Sequence, residues 1–396
     1  MLTKRIENMA PSKTMQVTAK SKMLKKQGYQ VMDFSVGEPD FATPENICNA
    51  AKKAIDDGHT KYTLVNGITE LRQAICDKLL QENHISYTPD QICVGTGAKQ
   101  PLFNAVFAVC EAGDEVIIPT PAWVSYEEMV KLAGATPVFV PCREEDDFEL
   151  DTEAIEKAVT CRTKAIIINT PNNPTGAVYQ KKTLQALAEL AVKNDFYIIT
   201  DEVYEKLVYG ENKHFSIAAL SDEVKNHCIV INGFSKTYAM TGWRIGYAAA
   251  NDEVIRAMKG IQSHTTSASN SITQYAALEA YKGNQDFLKI MHAEFVKRRD
   301  YLIGRIQKMP YVSCSSVRGA FYIMMNVNSV YGKKYKGRKI ESSLDFADVL
   351  LTEEYVALVP GDAFHADAYM RICYAVSMEC IKEGMDRIEN FLNELE

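Results

Sequence analysis

Tyr197-Ile-Ile-Thr-Asp201-Glu-Val-Tyr204 carries an apolar, β-branched run directly into a carboxylate. A run of that length, bounded so abruptly, reads as a buried strand that delivers Asp201 at its carboxyl end. Similar runs occur at Gln91–Val94, Glu115–Pro119, Ala165–Asn169, Cys228–Ile231 and Ile245–Ala249. Between them lie segments of helical period, among them Pro101–Cys110, Val124–Leu132 and Lys182–Asn194. Strands alternating with helices predict a largely parallel sheet covered on both faces, with ligand groups gathered at the carboxyl ends of its strands. The last third reads differently: a long polar helix over Asp286–Lys308, a strand-like Ala320–Val327, a helix over Leu344–Glu353 and a strand over Arg371–Ala375 predict a smaller α+β unit. Tyr331–Lys339, rich in Lys and Gly, reads as a flexible solvated loop.

At 396 residues the chain exceeds one ordinary core, so two domains are expected. A net charge of −7 argues against a nucleic-acid surface while leaving room for a locally basic pocket that draws small dicarboxylates. The ten cysteines show no paired short spacing and often sit in apolar runs, which reads as reduced, mostly buried thiols. The N-terminus lacks an apolar leader and no run is long enough to cross a bilayer, so a cytoplasmic protein is expected. The seven histidines have no metal-ligand spacing and join no serine–carboxylate motif, so no metal is expected.

The run Asn232-Gly-Phe-Ser-Lys-Thr-Tyr-Ala-Met-Thr-Gly-Trp-Arg-Ile-Gly-Tyr247 places a hydroxyl, an amine and a guanidinium at Ser235, Lys236 and Arg244. Those groups fit a phosphorylated aldehyde held as a Schiff base, for which pyridoxal 5'-phosphate is the candidate; alternatively Lys236 is a surface lysine. Val94-Gly-Thr-Gly-Ala-Lys-Gln-Pro-Leu-Phe103 follows a strand and opens a helix, so its amides can face an anion, although a plain tight turn is the other reading. It matches neither nucleotide-loop spacing. Asp201 suits a protonated pyridine nitrogen, with Tyr204 three residues on for the ring oxygen; otherwise it caps a helix. In Asn169-Thr-Pro-Asn-Asn-Pro-Thr-Gly176, either Asn172 or Asn173 contacts a ligand or both shape the turn. Trp123 has a face for stacking, and Arg371 heads an apolar strand where a buried guanidinium needs an anion.

With VGEPDF (36–41), KYTLVNGITELR (61–72), PNNPTG (171–176), DEVY (201–204), SKTYAMTGWRIGY (235–247) and MRICYA (370–375) in order, the sequence closely resembles the class I aminotransferases of pyridoxal-phosphate fold type I. The resemblance implies an α/β fold with a mostly parallel seven-stranded sheet between helices and a smaller α+β domain from both termini. It divides the chain into an N-terminal segment and lid over 1–40, a large cofactor-binding domain over 41–284 and a small domain over 285–396. It implies Lys236 as Schiff-base lysine and proton shuttle, Asp201 at the pyridine nitrogen, Tyr204 and Asn173 at the ring oxygen, and Trp123 stacked on the ring. Ser235, Arg244 and the Ala98 and Lys99 amides would hold phosphate, and Arg371 with Gly37 the substrate α-carboxylate. Tyr62 would reach the phosphate in a neighbouring subunit, which implies a homodimer with shared sites. Lys99, helped by Ser12 and Thr14, resembles the distal-carboxylate lysine of a bacterial-type aspartate aminotransferase subgroup, so aspartate and 2-oxoglutarate are the expected substrates. The alternatives are broader, aromatic or neutral specificity, or a C–S lyase on this fold. Ala10 stands where prephenate-using members carry a basic residue, so prephenate is not expected. Gln100-Pro101 departs from the commoner Gln-Ala that follows this loop; proline so near a helix start is tolerated, a shift of the loop being the alternative. A regulator borrowing the fold would need an added DNA-binding domain, and the match leaves no space for one before residue 11.

Overall fold

The computed structural model describes residues 13–396, with side chains from residue 16 onward. Seven strands form one sheet in the order Ile92–Gly95, Gly246–Ala249, Cys228–Gly233, Tyr197–Asp201, Thr163–Asn169, Glu115–Thr120, Thr136–Pro141. All its pairings are parallel except those of Gly246–Ala249, which runs antiparallel to both neighbours.

Alternation along the strands builds two cores. Ile166, Ile168, Ile198 and Val230 pack under helices Thr69–Asn83, Lys181–Asn194 and Ser271–Lys282 through Leu71, Ile75, Leu184, Leu187 and Ala277. Ala165, Ile167, Ile199 and Ile229 face the other way, against Leu102, Val130 and Met258 of helices Lys99–Val109, Ser125–Ala133 and Asp252–Ser263. A strand buried on both faces has to be apolar at every position, which is why these runs are continuous rather than alternating.

A third core belongs to the smaller α+β part. Its antiparallel sheet has the order Val359–Pro360, Tyr369–Cys373, Tyr322–Asn326, Ser313–Cys314. Helices Phe287–Ile306, Ser343–Glu353 and Met378–Asn393 contribute Phe295, Phe346, Ile388 and others to its core. Met32–Asp33 pairs in parallel with Val356–Ala357, and Phe34 sits fully buried in the same core, so both ends of the chain build this part.

Two readings change. Thr136–Pro141, absent from the predicted strands, is the sheet's edge; Pro137 and Pro141 lack an N–H and hide the pattern, and an edge is where a strand tolerates proline. Tyr331–Lys339, read as a flexible loop, folds into a small hairpin pairing Lys334–Tyr335 with Arg338–Lys339, anchored by Tyr335 at 1 % exposure. No described helix is long and apolar enough to cross a membrane.

Candidate active site

The parallel register sets Asn169 beside Asp201 and Asp201 beside Ile231, so two neighbouring strands end level while the third runs on two residues to Gly233. No helix follows Asp201; the chain turns, and the Val203 N–H donates to its Oδ1 at 3.3 Å, which removes the helix-cap reading. Burial pushes the Asp201 carboxyl up to about 6, against the pull of donors from Tyr126 and Val203. A carboxylate in that position gains from a cation placed against it.

The loop after Asn169 braces itself. Asn169 Nδ2 donates to the Asp201 carbonyl at 2.8 Å and its Oδ1 accepts from the Asn173 N–H at 2.7 Å. Asn172 Oδ1 accepts from Thr175, so Asn172 shapes the turn while the Asn173 side chain lines the cavity. Asn173 Oδ1 accepts from Arg371 Nη1 at 3.0 Å, and Arg371 Nη2 donates to the Ser35 carbonyl at 2.9 Å. Arg371 is 4 % exposed, its Nε has no partner, and no carboxylate of the described residues pairs with it. The Tyr322 and Phe364 rings flank the guanidinium at 4.6 and 5.0 Å.

Lys236 comes from the loop after strand Cys228–Gly233 and donates from Nζ to the Gly37 carbonyl at 2.6 Å. Desolvation lowers this amine to about 8, so it yields a proton far more readily than a surface lysine. Tyr204 and Tyr322 share a hydroxyl–hydroxyl hydrogen bond of 2.9 Å above the same floor.

At the far end, Gly95-Thr-Gly-Ala98 leads into helix Lys99–Val109, whose first N–H groups have no intrahelical acceptor. Gly97 has φ +68°, and a side chain there would run into the Arg244 guanidinium. Arg244, itself at φ 55°, donates from Nη1 to the Thr241 carbonyl at 2.8 Å. Pro101 lies in the helix's first turn, where it displaces no hydrogen bond, so the unusual Gln-Pro does not break the helix. A Cβ at Gly95 would stand 2.7 Å from Pro101 Cδ, so the bare glycine makes room for the ring.

Together these side chains surround a cavity of about 320 Å³. Of the expected site residues, Gly37, Ala98, Lys99, Trp123, Asn173, Asp201, Tyr204, Ser235, Lys236, Arg244 and Arg371 line it. Lys99 places its ammonium 4.6 Å from the Trp123 ring centre, and desolvation followed by the charge of Arg244 lowers its pKa. Tyr62 is 96 % exposed and does not line this cavity. Ser12, like Ala10, lies outside the described residues, as does the side chain of Thr14. Tyr126, Tyr322, Asn169 and Thr241 also line the cavity and were not singled out. Tyr126 was within reach of the sequence, three residues after Trp123 at the start of a helix; Tyr322 sits in an apolar strand without any local signal.

The fit to pyridoxal 5'-phosphate rests on this structure's own donor set. A buried carboxylate lies at the floor, an amine of lowered pKa stands beside it, and a glycine-hollowed cradle of Arg244, Ser235 and helix amides suits a phosphate.

A sequence model of the "Aminotransferase class I and II" family matches residues 29–388. An aspartate aminotransferase of Bacillus sp. strain YM-2 is 44% identical over 392 residues, covering 99% of each chain. A probable aspartate/prephenate aminotransferase of Rickettsia typhi is 44% identical over 397 residues, covering 100% of each. Among solved structures, the Rhizobium meliloti aspartate aminotransferase superposes with a TM-score of 0.97 at 39% identity over 100% of both chains. The Thermus thermophilus aspartate aminotransferase with maleate gives 0.93 at 40% identity, covering 99% of this chain and 100% of that one.

Proposed function

Because the chain belongs to the class I and II aminotransferases, which work with pyridoxal 5'-phosphate, we propose that it moves an amino group between aspartate and 2-oxoglutarate, giving oxaloacetate and glutamate. The observation that carries this choice is that, of the four cavity cations without carboxylate partners among the described residues, Lys236 and Arg244 go to the cofactor and two are left at separate places, Arg371 and Lys99. Arg371 is buried with a free Nε, and Lys99 rests over Trp123. A substrate with carboxylates at both ends satisfies both; a monocarboxylic amino acid satisfies one. The Thermus relative was solved with maleate, a dicarboxylate, which supports the same reading.

When bound, the cofactor supplies a cationic pyridine ring conjugated to an aldehyde carbon, an electron sink for the substrate's α-carbon. Asp201 keeps a proton on the ring nitrogen, where burial makes its charge strong. Tyr204 and Asn173 would donate to the ring oxygen, and Trp123 would stack on the ring. Ser235, Arg244 and the Ala98 and Lys99 amides hold the phosphate. Arg371, with the Gly37 backbone, fixes the α-carboxylate, turning the α-hydrogen toward Lys236. Lys236, with its lowered pKa, would be the base that takes up the α-proton and the acid that gives it back. The two half-reactions use the same residues in opposite order, giving ping-pong kinetics.

We further assign a homodimer in which Tyr62, exposed in the single chain, completes the neighbouring site, and a cytoplasmic location. The deciding experiment mixes holoenzyme with L-aspartate and 2-oxoglutarate and follows oxaloacetate. Rapid turnover with aromatic or neutral amino acids and little with aspartate would overturn the assignment.

A further inference from the structure

The strand ladder fixes the backbone of Asp201, but the rotation of its carboxylate needs side-chain help. Among the described residues one side chain hydrogen-bonds it: Tyr126 donates from Oη to Asp201 Oδ2 at 2.8 Å. Tyr126 is the second residue of helix Ser125–Ala133 and is 2 % exposed. Its ring meets Trp123 edge-on, with centres 5.3 Å apart and planes at 86°. Burial and the adjacent Asp201 charge push the phenol well above its usual range, so it stays a donor. The other charged or titratable groups coupled to Asp201 are Glu202, which opposes ionisation, Lys236, which favours it, and the Tyr204 phenol, which burial and the Asp201 charge keep protonated.

We propose that Tyr126 is a positioning residue: its hydroxyl clamps Asp201 Oδ2 and so aims Oδ1, which holds only the long Val203 N–H bond, at the ring nitrogen, while its ring sets the angle of Trp123. Floor and stacking face are thereby fixed from one turn of one helix. The inference rests on the reading of Asp201 given above. A phenol in this place is not needed for packing, since phenylalanine fills the same volume.

The test compares Tyr126→Phe with Asp201→Ala as holoenzymes. Loss of a hydrogen bond to a charged group corresponds to about tenfold. For Tyr126→Phe we expect kcat on aspartate to fall about tenfold while KM stays within about twofold. The absorbance of the bound cofactor, titrated from pH 5 to 9, should have its midpoint moved by about half a pH unit or more. Unchanged kcat and midpoint in Tyr126→Phe, with Asp201→Ala crippled, would overturn the role of Tyr126 and leave that of Asp201 intact. If Asp201→Ala keeps full activity, the ring-nitrogen reading and this inference fall together.

Discussion

Asp201 and Glu205 leave the same strand end four residues apart, and the fold treats their charges in opposite ways. Glu205, with its side chain 7 % exposed, pairs with the Lys78 ammonium and accepts from Asn83 and Asn232 at 2.8 Å each. Burial alone would raise its carboxyl, but Lys78 and His214, with those hydrogen bonds, outweigh it and hold it at about 2. Glu202, Glu205 and His214 lie close enough together to suggest a metal site, and the Lys78 ammonium supplies a cation among them. Asp201 has donors but no ion pair among the described residues, and it rises to about 6. The charge of Glu205 is balanced within the chain, although His214 Nδ1 beside it has no partner among the described residues. The charge of Asp201 is balanced only when something cationic arrives, and Arg371 with its free Nε shows the same deficit with the sign reversed. Incomplete pairing in a water-poor cavity is the physical mark of a binding site, and complete pairing the mark of scaffold.

The contrast can be broken most forcefully at Lys236. Lys236→Ala should lower transamination by about 10⁴-fold or more, by steady-state assay, while the protein stays folded and still binds cofactor non-covalently. A variant retaining wild-type turnover would remove the cavity side of the comparison. Next comes Glu205→Gln, which leaves the buried Lys78 ammonium with only the partly exposed Glu82 at 3.7 Å as counter-charge and should destabilise the protein by about 3 kcal/mol in urea unfolding. A loss under about 1 kcal/mol would mean that the cluster is not the scaffold described here.

Asp201→Asn should move stability the other way. The carboxyl rises from 3.8 to about 6 on folding, so the folded state binds its proton more tightly than the unfolded chain. That contribution is complete below pH 3.8 and is lost as pH rises through about 6, a change of about 3 kcal/mol. Cofactor-free Asp201→Asn should therefore be more stable than wild type by about 1–3 kcal/mol at pH 8, with the gap closing as pH falls to about 5. Thermal melts at the two pH values check this, and a less stable variant at pH 8 would contradict it. The smallest effect belongs to Lys99→Ala, whose ammonium is partly solvated. We expect about a tenfold loss of kcat/KM on aspartate and little on alanine. Equal losses on both would sever Lys99 from the distal carboxylate.

Much of this was legible because parallel strands advertise themselves. Residues 165–168, 197–199 and 228–231 are apolar on both faces, and Asn169 and Asp201, which end the first two strands, reach the cavity, whereas after the third Asn232 turns to Glu205 and Ser235 with Lys236 follow in the loop. What stayed hidden has physical reasons. Two prolines disguised the edge strand Thr136–Pro141. Tyr126 and Tyr322 sit in segments where a tyrosine is an ordinary core residue, and only tertiary packing sets their hydroxyls against Asp201 and Tyr204. The Lys78–Glu205 pair joins residues 127 apart in sequence, a separation no local pattern spans.

The contact between Gly95 and Pro101 limits how this loop can be altered. Alanine at 95 is tolerated only once the proline has gone, whereas the proline can be replaced while the glycine stays. The permitted order of change therefore runs in one direction, and a loop transplanted with its proline must bring the glycine along.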